Sequence, residues 1–70
     1  MENKLIKGKD LIKGKNYADE DGDIIGKFMG YHKTGYCKFI TNNPMWATQY
    51  DSESECLIAP FYSDQSFIEL

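Results

Sequence analysis

A small, mainly β domain, its strands antiparallel and curled into a barrel, is the fold class that this 70-residue sequence predicts. Three observations lead there. Between Asn16 and Thr41 two hairpin corners, Asp21-Gly22 and Lys33-Thr34-Gly35, bracket a segment too rich in glycine to be a helix. A hexapeptide, Leu5-Ile6-Lys7-Gly8-Lys9-Asp10, returns as Leu11-Ile12-Lys13-Gly14-Lys15-Asn16. That even period keeps each side chain on one face of an extended chain, whereas a helix would rotate it away. Beyond Pro44 come short apolar runs bounded by turn residues, which brings the expected total to about five short strands.

In chain order, residues 1–9 read as a basic extended arm and residues 10–70 as a single barrel domain. Two copies of the hexapeptide are too few to stack as a repeat architecture. The second copy is therefore expected to lead through Gly14 and Tyr17 into the first barrel strand. Residues 18–23, ADEDGD, form a turn, because Asp21-Gly22 supplies the positive φ that a tight hairpin demands. A strand follows over residues 24–32, and Gly26 and Gly30, flanking Phe28 on one face, mark a bend or a bulge in it. The return strand over residues 36–41 places Cys37 and Phe39 on one face and Tyr36, Lys38 and Ile40 on the other. Asn42-Asn43-Pro44 closes it. Residues 45–54, MWATQYDSES, fit either a helical turn or a long functional loop. Residues 55–62 resume the strand pattern, with Pro60 at an edge or a strand end because it has no N–H to donate. After a turn at residues 63–66, residues 67–70 make a last short strand.

Size limits what this domain can do alone. A chain this short buries only about 60% of the surface that its unfolded form exposes, so its stability is thin and a partner-assisted state is expected. A content of 41% hydrophobic and 14% aromatic residues nevertheless argues against disorder. No apolar run reaches the length of about 18 residues that a membrane span needs, and the first fifteen residues lack the apolar stretch of a signal peptide. An intracellular location is the resulting expectation. All eight basic residues are lysine, and the missing arginines count against base-specific nucleic-acid recognition, which relies on the guanidinium fork. Charge is divided unevenly: residues 1–15 hold five lysines against two acids, and the remainder holds three lysines against nine acids.

None of the reactive constellations is complete. Asp19, Asp21 and Asp23 alternate as the first ligands of a calcium loop do, but Ile24 stands where the loop needs glycine and Gly30 where it needs glutamate. They are expected to be a solvated acidic turn. His32 is the only histidine, and no orienting third group accompanies it and Cys37 as a nucleophilic pair. A zinc site built from His32, Cys37 and Cys56 lacks a fourth ligand. Cys37 and Cys56 are read as free thiols, with a bridge between neighbouring strands left open for an oxidising compartment. The Gly-Lys pairs at Gly8 and Gly14 lack the Ser or Thr of a phosphate-binding loop. No catalytic residue, metal or cofactor is expected, and the chain is read as a non-enzyme.

The aromatics carry what functional signal remains. Ten of them exceed what a domain of this size can interiorise, so some face outward, and Tyr31, Tyr36, Trp46, Tyr50 and Tyr62 are the candidates to contact a partner. Trp46 is equally well read as a plug for one end of the barrel. Asp19, Glu20, Asp21, Asp23, Asp51, Glu53 and Glu55 make the candidate acidic surface.

A lysine-glycine lead-in, an acidic first loop, a tight central hairpin and a short final strand together resemble a small SH3-like barrel over residues 10–70. Leu11-x-x-Gly14-Lys15-x-Tyr17, with Gly26-Lys27-Phe28-Met29-Gly30-Tyr31, also resembles short uncharacterised β proteins of phages and large DNA viruses. Neither resemblance assigns a functional residue. The first function expected is a non-catalytic protein-protein interaction module, a small structural or accessory component of a larger assembly such as a virus particle. The alternative is an acidic virus-encoded inhibitor that covers the basic channel of a nucleic-acid-binding defence protein. The partner is another protein, a protein assembly or a second copy of the chain, and not a nucleic acid or a membrane.

Overall fold

A computed structural model describes residues 5–70 as one antiparallel sheet; residues 1–4 of the basic arm lie outside the described residues. The strands are β1 (Leu5–Lys7), β2 (Asn16–Ala18), β3 (Ile24–Tyr31), β4 (Cys37–Ile40), β5 (Gln49–Asp51), β6 (Cys56–Phe61) and β7 (Ser66–Glu69), with one 3-10 turn at Gly8–Asp10. Their order across the sheet is β1-β7-β2-β3-β4-β6-β5. The mainly β, antiparallel expectation therefore holds, with seven strands rather than about five. Both extra strands, β1 and β5, are three residues long and lie at the sheet edges. β1 becomes a strand only through β7, about 60 residues on, and β5 only through the short reversal into β6, and neither three-residue segment carries a strand pattern of its own.

The sheet is rolled without being closed. β6 and β7 stand four strand spacings apart, about 19 Å in a flat sheet, yet the rings of Phe61 and Phe67 lie 5.6 Å apart. Phe39 of β4 likewise meets Phe67 at 5.2 Å across two intervening strands. Aromatic packing thus bridges the seam where no backbone ladder does. Within the roll, Tyr17, Phe28, Phe39 and Phe67 are fully buried with Ile25, Cys37 and Ala59. The Tyr17 hydroxyl accepts the Ile12 N–H at 2.9 Å, which satisfies the one polar atom that this ring carries inward. The curl is produced in β3: its register with β2 shifts beside Tyr17, and its register with β4 shifts between Phe28 and Gly30. The glycine-marked bends expected there are present.

The two hexapeptide copies fold differently. In the first, Leu5–Lys7 is β1 and Gly8–Asp10 is the 3-10 turn. Gly8 is buried so tightly that a Cβ would come within 2.8 Å of the Ser63 backbone. Its N–H donates to the Gln65 carbonyl at 2.8 Å, and its own carbonyl accepts the Tyr31 hydroxyl at 2.6 Å. In the second copy Gly14 occupies an open turn at φ 93°. The shared residues adopt two structures because Leu5–Lys7 pairs along β7, whereas Leu11–Lys13 has no strand partner and the second copy meets β7 only from its end, where Asn16 opens β2.

Of the two readings for residues 45–54, the short turn is the one found, at the start of the segment, and no long loop follows it. The Asn43 carbonyl accepts the N–H groups of Trp46 at 3.0 Å and Ala47 at 3.2 Å, a single turn, and the chain then enters β5 and a tight reversal into β6.

Candidate functional site

Tyr36 and Tyr62 face one another across an apolar groove of about 290 Å³, lined also by Gln49, Pro60 and Phe61. Strand alternation builds it. Tyr36 shares the face of Lys38, opposite Pro60 of β6, and Gln49 reaches the same face from β5, opposite Ile58. The Gln49 amide donates to the Tyr36 hydroxyl, and the His32 ring stacks on Tyr36 at 4.5 Å, so Tyr36 is held from two sides. Tyr62 is the free wall, 75% exposed just past the end of β6. Both tyrosines also line the adjoining cleft with Thr34, Gly35, Ser63 and Asp64, which extends the trough toward the central hairpin.

The five candidate aromatics do not form one patch. Trp46 is half-buried and meets Phe61 edge-on at 6.0 Å, so it supports the groove from the core side. Tyr50 is 61% exposed but neighbours Gln49 in β5, and alternation turns it to the opposite face beside Leu57. Tyr31 packs on Phe28 at 5.1 Å and spends its hydroxyl on Gly8. Burial, and secondarily Cys37, raises the Tyr31 phenol above its ordinary pKa. The structure unites Tyr36 and Tyr62, backs them with Trp46, and separates Tyr31 and Tyr50.

The acidic set divides too. Asp19 organises its own turn by accepting the N–H groups of Asp21 at 3.0 Å and Asp23 at 2.9 Å, while Glu20, Asp21 and Asp23 are exposed. Glu53 and Glu55 are exposed on a different hairpin. Asp51 is a correction: it is 5% exposed and belongs to the interior, because Lys38, 7% exposed in mid-strand, needs a counter-ion. Their charged atoms lie 3.3 Å apart, and Ser54 adds its hydroxyl at 2.6 Å and its N–H at 3.1 Å to the same carboxylate oxygen. The Ser54 hydroxyl first, then its N–H and Lys38, hold the Asp51 carboxyl below its ordinary pKa against the opposing effect of burial.

A lowered carboxyl pKa stabilises the fold above the unfolded value of about 4, and that contribution is lost as pH falls through the folded value. Asp51→Asn is therefore expected to melt below the parent at pH 7, with the gap narrowing as both are acidified below about pH 4. A pH series of thermal melts checks this, and a gap independent of pH would refute the assignment.

The reactive side chains are committed to structure. Cys37 is fully buried, its thiol directed at the Gly8 carbonyl at 3.6 Å, and burial pushes its pKa up to about 11, far from a thiolate at neutral pH. Cys37 pairs with Phe61, whereas Cys56 begins the same strand five residues earlier, roughly 17 Å along it. Both thiols are free, and that separation rules out the bridge left open above. His32 Nδ1 accepts the Thr34 N–H at 3.2 Å and lies 2.9 Å from its hydroxyl, closing the hairpin corner. Among the described residues, no three His, Cys, Asp or Glu side chains converge as metal ligands do, and no helix is long and apolar enough to cross a membrane.

Sequence reasoning missed Gln49, Pro60 and Phe61 as groove walls and Lys38 as a buried cation. Lys38 gave no signal, since a lysine alternating with Cys37 and Phe39 reads as an ordinary outward-facing residue. The groove residues gave none. Comparison of the chain with family models, with curated proteins and with solved structures finds no match.

Proposed function

We propose that the chain is a non-catalytic protein-protein interaction module on a small SH3-like barrel, serving as a component of a larger assembly such as a virus particle. The observation that carries this reading is the apolar trough between Tyr36 and Tyr62, open to solvent and directly beside the edge strand β5, whose outer side has no strand partner among the described residues. An extended segment of a partner can lie there, with main-chain bonds to the edge and side chains in the groove. The rigidly held Tyr36 supplies an anchor at little cost in conformational entropy, and Tyr62 closes over the occupant. For the barrel itself, the support is the five-strand run β7-β2-β3-β4-β6, rolled until the rings of its two outer strands touch. A second reading, the acidic inhibitor, loses Asp51 from its surface and has its remaining acids divided between two hairpins, so the geometry favours the groove.

Affinity capture from the native source, read by mass spectrometry, tests the proposal. Tyr62→Ala is expected to hold its melting temperature within about 4 °C of the parent, as surface substitutions do, while recovery of the specific partner falls about tenfold or more. Trp46→Ala is expected to lose capture and also about 2 kcal/mol of stability, roughly half the cost of deleting a fully buried aromatic. Undiminished capture by folded Tyr62→Ala would reject the groove as the docking site.

A further inference from the structure

Each hexapeptide copy leaves one aliphatic side chain in solvent, and the fold brings those two side chains to one place. In the first copy Ile6 packs against the core and Leu5 is 58% exposed; in the second Leu11 is buried and Ile12 is 52% exposed. Leu5, Ile6 and Ile12 line a single groove of about 540 Å³ with Lys7, Asp10 and Glu69. Lysines surround it. Lys7 forms part of the wall, Lys9 adjoins Asp10, Lys13 adjoins Ile12, and Lys15 lies 3.4 Å from the Glu69 carboxylate, all four being exposed. Lys7, Lys9, Lys13 and Lys15 against Asp10 and Glu69 leave this face at +2, whereas residues 16–68 hold three lysines against eight acids. Neither acidic hairpin contributes to the lining.

We propose that this face docks the chain on an anionic lipid surface, with Leu5 and Ile12 entering the headgroup boundary and the four lysines meeting the lipid phosphates and carboxylates. Protein contacts of high affinity centre on Tyr, Trp and Arg, and single-stranded nucleic acid needs aromatic platforms for its bases; the groove holds none of these. Exposed aliphatics ringed by ammonium groups match the boundary between acyl chains and anionic headgroups instead. Lysine suits that place, because its stem lies along apolar surface while its charge reaches outward. Each lysine near such a surface strengthens partition about fivefold, and the aliphatic pair adds a part that salt does not screen. The net charge of −3 conceals this face by averaging it with an acidic remainder. That remainder is repelled by the same surface and so orients the chain on it. The sequence-based expectation of no membrane partner rested on the lack of a spanning segment, which a surface-docked chain does not need. None of these residues belongs to the tyrosine groove, so the two readings fail separately.

Co-sedimentation of the full chain with vesicles supplies the test, using up to about 1 mM lipid, above the roughly 0.1 mM at which one myristoyl chain is half-bound. The expected result is binding to phosphatidylcholine vesicles containing about one-third phosphatidylserine, with at least about tenfold weaker partition onto phosphatidylcholine alone or at about 0.5 M salt. Lys9→Gln with Lys13→Gln is expected to weaken partition about 25-fold, and Leu5→Thr with Ile12→Thr about tenfold. Both variants should melt within about 4 °C of the parent. No binding to the anionic vesicles overturns the proposal. Undiminished binding by folded Leu5→Thr with Ile12→Thr also overturns it, since only diffuse charge attraction would then remain. Tighter retention of single-stranded polyuridylate than of the vesicles at the same salt assigns the face to nucleic acid and overturns it as well. Amide NMR of the parent with anionic bicelles carrying a paramagnetic headgroup needs no variant: relaxation must be enhanced first at residues 5–15 and Glu69, and enhancement centred on Tyr36 and Tyr62 overturns the assignment.

Discussion

Gly26→Ala is expected to leave the chain unfolded or nearly so at 25 °C. Gly26 sits in β3 at φ 146°, a conformation that side-chain-bearing residues rarely adopt, and a Cβ there would lie 1.9 Å from the Ile40 carbonyl oxygen and 2.9 Å from its carbon. Both obstacles are backbone, so no rotamer change relieves them. Backbone strain of this kind costs about 1–3 kcal/mol by itself, and forcing β3 away from β4 adds the loss of the ladder and of the curl. A chain of 70 residues has only about 4–10 kcal/mol of stability in total. Circular dichroism and urea titration check the outcome. A cooperative transition within about 1 kcal/mol of the parent would show that β3 does not approach β4 as described.

Phe39→Ala is expected to cost about 3–5 kcal/mol, the range for deleting a fully buried aromatic ring. Four rings converge on Phe39: Tyr17 at 6.3 Å, Phe28 at 5.4 Å, Phe61 at 5.5 Å and Phe67 at 5.2 Å. Two of these belong to the strands that meet at the seam. Removing Phe39 therefore opens a cavity at the point where the roll is held by side chains alone. Phe39→Leu should recover part of the loss, because it refills some of the volume without restoring the ring-edge contacts. Equal destabilisation by the two variants would indicate that ring geometry, and not filled volume, sets the cost.

Elements bounded by their own turn chemistry were legible in the sequence. Asp21-Gly22 and the Lys33-Thr34-Gly35 corner are turns where expected, and β3, β4, β6 and β7 fall within one or two residues of the segments read for them. That Cys37 and Phe39 share one face of β4 also followed from alternation, and the structure turns that face inward. Strands β1 and β5 did not, because each is short and is created by a partner about 60 or seven residues away along the chain. At the site, the composition announced surplus aromatics but not which of them would meet. Tyr36 and Tyr62 are 26 residues apart and become neighbours only through the β4–β6 pairing, while Tyr50 is turned aside by one step of strand alternation.

By itself, then, the sequence determined a small glycine-bent β domain with a basic start, an acidic remainder and more rings than its interior accommodates. Those properties arise from turn propensity, side-chain period and composition, each of which acts over a few residues or over none in particular. Tertiary structure alone decided that Asp51 goes inside with Lys38, that Cys37 of β4 lies beside the far end of β6 from Cys56 and out of its reach, and that the sheet rolls without closing. Each of these depends on strand order and register, which are set by packing between segments distant in sequence, where a shift of one residue exchanges every inward side chain for an outward one.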